Sequence, residues 1–157
     1  MIKVMFVCHG NICRSPMAEF MFKDLVNKNG LSDKFIIESS ATSYEEIGNP
    51  VHRGTRAVLN KYGISCAGKY AVHLEKSDYD KYDYFIGMDF YNLTNMERIF
   101  GSDPLGKISL LLDYANERRE VADPWWAGDF TATENDVLKG VTAFLNYLIT
   151  SNKINHA

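Results

Sequence analysis

The chain has 157 residues, of which 46% are apolar and 24% charged, and its formal net charge is −3. That length fits one domain, residues 1–157, with a full core. The slight acidic excess excludes a basic footprint for nucleic acid or an anionic membrane surface, and no segment approaches the roughly 20 apolar residues that span a bilayer.

Ile2 to Val7 form a short apolar run, I-K-V-M-F-V, that reads as a buried strand. It delivers Cys8 to its carboxyl end. His9, Gly10, Asn11, Ile12, Cys13 and Arg14 follow as a loop, and Ser15-Pro16 reads as a helix start, with Ser15 as N-cap and Pro16 at the first helical position. Backbone N–H groups in a tight loop at a helix N-terminus make a nest for an oxyanion. Arg14 at the rim supplies a planar fork for two oxygens. A cysteine at the floor of such a nest is held as a thiolate, the reactive form of the residue.

The following helix carries Ala18, Met21, Phe22 and Leu25 at helical spacing and stops at Asn29-Gly30. Phe35 to Glu38 read as a second strand, and Ser39 to Ser43 as a polar loop at its carboxyl end. Ligands of open parallel sheets bind beyond the strand carboxyl ends, where strand order reverses, so the Cys8 loop and this one should be neighbours. Thr55 to Tyr62 look helical, with Gly63 as the stop. Tyr84 to Met88 read as a central strand. Asp89 after it is taken as the cap of a helix over 92–100 rather than as a site residue. Ile108 to Leu112 are a fourth strand, continuously apolar as expected when helices cover both faces. Two tryptophans, Trp125 and Trp126, follow Asp123-Pro124 in an expected loop; aromatics beside an acid suggest a pocket rim. The last helix is placed at 134–149, with Thr133 and Asp136 as a capping box. Strands alternating with helices give an α/β domain with a parallel sheet.

Cys8, Cys13 and Cys66 cannot all pair within the chain, and their spacing matches no zinc pattern. The opening apolar run is too short for a signal peptide. A cytoplasmic protein in a reducing compartment is expected, acting as a monomer without metal or cofactor.

The stretch from Val7 to Pro16 resembles the signature of low-molecular-weight protein tyrosine phosphatases. The resemblance continues through Ser39-Ser40-Ala41-Thr42-Ser43, Ile47-Gly48-Asn49-Pro50, Gly87-Met88-Asp89 and Asp123-Pro124. It implies a flavodoxin-like sheet of four parallel strands in the order 2-1-3-4, with helices on both faces. It also implies hydrolysis of phosphotyrosine in a protein substrate, with inorganic phosphate as product. Cys8 is then the nucleophile that forms phosphocysteine, Arg14 the clamp on the equatorial oxygens, and Asp123 the acid that protonates the leaving phenolate. The resemblance makes Asn11, Ser15 and Ser39 supports of the loop, and Cys13 the disulfide partner that shields Cys8 from peroxide. The family's pocket-wall aromatic falls at Glu45 here: either Tyr44 takes that role with a local shift, or the rim is acidic and more open. Ile12, Tyr44, Glu45, Trp125 and Trp126 are the expected rim residues.

Three other readings compete. A protein arginine phosphatase resembles this chain but carries a small threonine where Ile12 stands, and Ile12 should crowd a phosphoguanidinium. A thioredoxin-coupled arsenate reductase needs two further relay cysteines, and only Cys66 lies outside the loop. A phosphotyrosine-binding module without turnover would not need Cys8, Arg14 and Asp123 together.

Overall fold

The computed structural model describes residues 1–127 and 129–154, with the backbone alone for Trp126 and Ala127. Four parallel strands form one sheet in the order β2-β1-β3-β4: β1 Ile2–Cys8, β2 Phe35–Ala41, β3 Tyr84–Gly87 and β4 Ile108–Leu110. β1 pairs with β2 on one side and β3 on the other, so the chain reverses its direction of travel across the sheet at the carboxyl end of β1. That is the crevice where α/β folds bind ligands.

Side-chain alternation along β1 sorts the core. Val4, Phe6 and Cys8 face helices α1 (Arg14–Lys28) and α5 (Thr131–Thr150), while Met5 and Val7 face α3 (Phe90–Phe100). On the first face Phe22 meets Phe6, Phe35 and Phe144 at ring-centroid distances of 5.2–5.8 Å. On the second, Phe85 and Phe100 pack at 4.7 Å. Cys8 is therefore the last inward residue of a strand locked on both faces, which fixes its sulfur. Helix α2 (Arg53–Lys61) reaches the Cys13 carbonyl through Thr55, and the four-residue α4 (Pro124–Ala127) brings Trp125 to the cleft.

Several boundaries differ from expectation. β2 continues through Ala41, because register with β1 carries on to Cys8 opposite Ala41. Ser39 is thus a strand residue, not a loop one. β4 keeps only three residues, after which Leu111–Ala115 tighten into a 3₁₀ turn whose N–H at Leu110 is held by Asp113. α1 begins at Arg14, one residue before the expected cap, and Cys13 stands at the N-cap without a side-chain bond. α5 begins at Thr131, so Thr133 and Asp136 lie inside it and form no capping box. No helix of the described residues is long and apolar enough to cross a membrane.

Candidate active site

The loop after β1 is shaped from outside. The carbonyls of Cys8 and His9 accept from the N–H groups of Thr42 and Ser43, each at 3.0 Å. The Ile12 carbonyl accepts from His52 N–H at 2.8 Å, and the Cys13 carbonyl from the Thr55 hydroxyl at 3.1 Å. Each planar trans peptide then turns the following N–H the opposite way, toward the concave side of the loop. The N–H groups of His9, Gly10, Cys13 and Arg14 thereby converge as an oxyanion nest. Asn11 closes the turn with φ of 60°, a backbone angle that asparagine tolerates better than most residues.

Behind the loop lies a buried polar chain. Asn11 N–H donates to Cys8 Sγ at 3.2 Å, and Ser15 Oγ lies 2.9 Å from the same sulfur. The Asn11 side-chain amide donates to Ser15 Oγ at 2.8 Å and Ser39 Oγ at 2.9 Å, while its oxygen accepts from Val72 N–H at 3.1 Å. Ser39 in turn donates to Glu19, a carboxylate only 1% exposed that is paired with Lys23 at 2.6 Å and lies 3.6 Å from Lys69. Because Glu19 accepts from Ser39, and Ser15 Oγ already accepts from Asn11, the Ser15 hydroxyl proton is left for the sulfur. Ser15 therefore serves the sulfur, not the helix end.

Arg14 is held from the rear. Its guanidinium donates to Asp89 Oδ2 at 2.8 Å and to the Val121 carbonyl at 3.2 Å, and stands 3.8 Å from Asp123 Oδ2. Burial works against its charge, but the neighbouring Cys8 and Asp89 overcome that and raise its pKa. Asp89 is also the expected cap of α3, accepting from Asn92 N–H at 2.8 Å. Reading Asp89 only as a cap missed half of its role; one carboxylate spans both tasks. Cys13 is buried beside the nest, and desolvation, then the charges of Cys8 and Asp123, push its thiol up to about 12.

These residues line a cleft of about 950 Å³. Cys8, Ile12, Arg14 and Asp123 line it. Two exposed aromatics line it as well: Trp125, whose ring lies edge-on to His52 at 5.1 Å, and Tyr91 from α3. Glu45, Glu46 and Glu120 add acidic rim, with His9 Nε2 paired to Glu45 at 3.2 Å. Tyr44 does not join this rim: it stacks on His73 at 3.8 Å with the rings 3° from parallel, outside the cleft. The stack captures it because His73 is the bridge partner of Ala41, and the second aromatic that lines the cleft beside Trp125 is instead Tyr91. Sequence pattern could not supply Tyr91, since helix position alone does not say which loop it overlooks. The expected rim side chain of Trp126 lies outside the described residues.

Residues 3–153 match the family model described as low molecular weight phosphotyrosine protein phosphatase. The chain belongs to that family. It is 42% identical over 132 residues to the low molecular weight protein-tyrosine-phosphatase YfkJ of Bacillus subtilis, covering 83% of this chain and 85% of that one. The crystal structure of YfkJ superposes with a TM-score of 0.92 at 38% identity, covering 96% of each chain. The low molecular weight protein tyrosine phosphatase of Streptococcus pyogenes gives a TM-score of 0.85 at 40% identity over 99% of this chain and 100% of that one. A drosophila arginine phosphatase shares the fold at a TM-score of 0.84 and 28% identity, covering 93% and 97%. The four-stranded 2-1-3-4 fold of these phosphatases is therefore also the fold of this member.

Proposed function

We propose that this family member hydrolyses phosphotyrosine in protein substrates, and small aryl phosphates, through a phosphocysteine on Cys8. The observation that carries this reading is Cys8 Sγ under two donors, Asn11 N–H and Ser15 Oγ, beside Arg14. The sulfur attacks phosphorus, the S–P bond forms and the P–O bond to the phenol breaks. Loop N–H groups and Arg14 hold the three equatorial oxygens, a preorganised electrostatic contribution that needs no metal. Asp123 carries the proton to the departing phenolate, whose conjugate acid has a pKa of about 10. The same carboxylate then takes a proton from the water that cleaves phosphocysteine, releasing inorganic phosphate.

Trp125, Tyr91 and Ile12 all line the cleft, and two aromatics with one bulky aliphatic suit a flat ring. That combination favours a phenyl ring over a branched guanidinium, despite the fold shared with an arginine phosphatase. Cys66 lines a separate cavity of about 640 Å³ with Arg56 and Lys69, which argues against the disulfide relay from Cys8 that an arsenate reductase requires. Cys13, in the same loop as Cys8, is the partner for a protective disulfide: a Cys8 sulfenic acid condenses with the Cys13 thiol and releases water.

Hydrolysis of a series of aryl phosphates tests the assignment. Cys8→Ser is inactive. Asp123→Asn loses roughly 10²–10⁴-fold on phenyl phosphate and progressively less as the phenol becomes more acidic. Equal losses across the series, or faster turnover of phosphoarginine than phosphotyrosine peptides, contradict it.

A further inference from the structure

The acid of this mechanism sits on a segment that lacks regular structure until Pro124. Something must hold it in the cleft beside Arg14. The residue before it, Ala122, has both backbone groups held by α5. Its carbonyl accepts from the Thr133 hydroxyl at 2.7 Å, and its N–H donates to Asp136 Oδ2 at 2.9 Å. Thr133 is fully buried, and Asp136 is fixed in turn by a two-pronged pair with Arg119 at 2.9 and 3.1 Å. Arg119 also reaches Glu117, which pairs with Lys139 on the same helix. Val121, one residue earlier, is held from the opposite side, its N–H by the Met88 carbonyl at 2.8 Å and its carbonyl by Arg14 at 3.2 Å.

We propose that Thr133 and Asp136 are positioning residues for proton transfer: together they clip the Ala122 peptide to α5 and set where the Asp123 carboxyl meets the leaving oxygen. The inference rests on Asp123 being the acid. Neither side chain lines the cleft, so neither is a catalytic residue. Both are spaced three apart inside the first two turns of α5, on the face that looks at the 121–123 segment. This explains why a threonine and an aspartate that resemble a capping box form none: their polar atoms are committed to a neighbouring strand of chain. A hydroxyl and a carboxylate suit this task because one peptide offers one acceptor and one donor. Loss of either frees Ala122 to rotate, and displacement of an acid by about 1 Å costs up to roughly 100-fold in rate.

Steady-state rates of Thr133→Val, Thr133→Ser and Asp136→Ala on phenyl phosphate and 4-nitrophenyl phosphate test the clip. Thr133→Val and Asp136→Ala, each of which removes the group that holds Ala122, should lower kcat on phenyl phosphate by roughly 10- to 100-fold and on 4-nitrophenyl phosphate by less than about threefold. Thr133→Ser should restore the phenyl phosphate rate. Inhibition by inorganic phosphate, which reports the loop and Arg14, should stay unchanged and marks each variant as folded. Combined with Asp123→Asn, neither substitution should lower the rate further. Equal losses on both substrates, or further losses in the Asp123→Asn background, overturn the clip. If Asp123→Asn itself shows no dependence on the leaving group, the acid assignment fails first and the clip with it.

Discussion

Two cysteines in one loop sit in different surroundings. Cys8 Sγ has Asn11 N–H and Ser15 Oγ within 3.2 Å, whereas Cys13 is buried, with its pKa pushed up to about 12 by desolvation and then by the Cys8 and Asp123 charges. Thiolate is the species that alkylates. Iodoacetate at neutral pH should therefore modify Cys8 and spare Cys13, and in Cys8→Ser it should still spare Cys13; peptide mass mapping reads both. Rapid labelling of Cys13 at pH 7 would contradict this. At the same scale, the grouping of Cys8 and Arg14 at one strand–loop–helix junction was legible from residue order, and the fold brings Asp123 to the same cleft. Asp89, Glu19 and Tyr91 were not legible in that order. Each owes its place to long-range packing: Asp89 meets Arg14 across 75 residues, and Ser39 meets Glu19 through a strand–helix contact. A burial pattern cannot announce an acid that hides inside an apolar stripe, which is where Glu19 lies.

At the scale of elements, close approach decides two joints. Gly140 of α5 lies where an added Cβ would sit 2.3 Å from Leu111 Cγ, and Leu111 is fully buried. Alanine would gain about 1 kcal/mol of helix propensity but cost up to about 3 kcal/mol by overpacking. Gly140→Ala should therefore destabilise by about 2 kcal/mol, a fall of roughly 4–8 °C in Tm by calorimetry. An unchanged or higher Tm would contradict that packing. The second joint is His52, whose Nδ1 caps α2 by accepting from Gly54 N–H at 3.0 Å, beside Trp125 and Phe130. Gly54 is bare there because a Cβ would fall 2.2 Å from the Phe130 ring. Burial first, then Arg53 and Arg56, lower the His52 pKa. The unfolded chain therefore binds this proton at higher pH than the native one. His52 contributes stability that is complete above its unfolded pKa of about 6.5 and declines as pH falls through the window below it. His52→Asn, which keeps an acceptor at the cap, should flatten the stability–pH curve in that window by urea titration. A slope identical to that of the parent protein would refute the assignment. Element types were readable from periodicity, but β4 and the start of α5 were not: an apolar run does not reveal that Asp113 turns it at Leu110, nor a Thr-x-x-Asp spacing that both side chains bond elsewhere.

Across the whole molecule, three separate parts of the chain converge on the cleft that holds the Cys8 sulfur. The β1–α1 loop supplies Cys8 and Arg14, Asp89 between β3 and α3 braces that arginine, and α5 holds the Ala122 peptide next to Asp123. The parallel 2-1-3-4 order makes this possible, since it brings the carboxyl ends of β1, β2 and β3 to one crevice. Covalent capture of phosphate on that sulfur tests the arrangement most directly. Asp123→Asn with 4-nitrophenyl phosphate should accumulate the intermediate, because this leaving group departs with little help while the water loses its base. Rapid quenching followed by mass spectrometry of the peptide containing Cys8 should then find the phosphoryl group there. Continued hydrolysis with Cys8 unmodified, or phosphate on any other residue, would contradict the account.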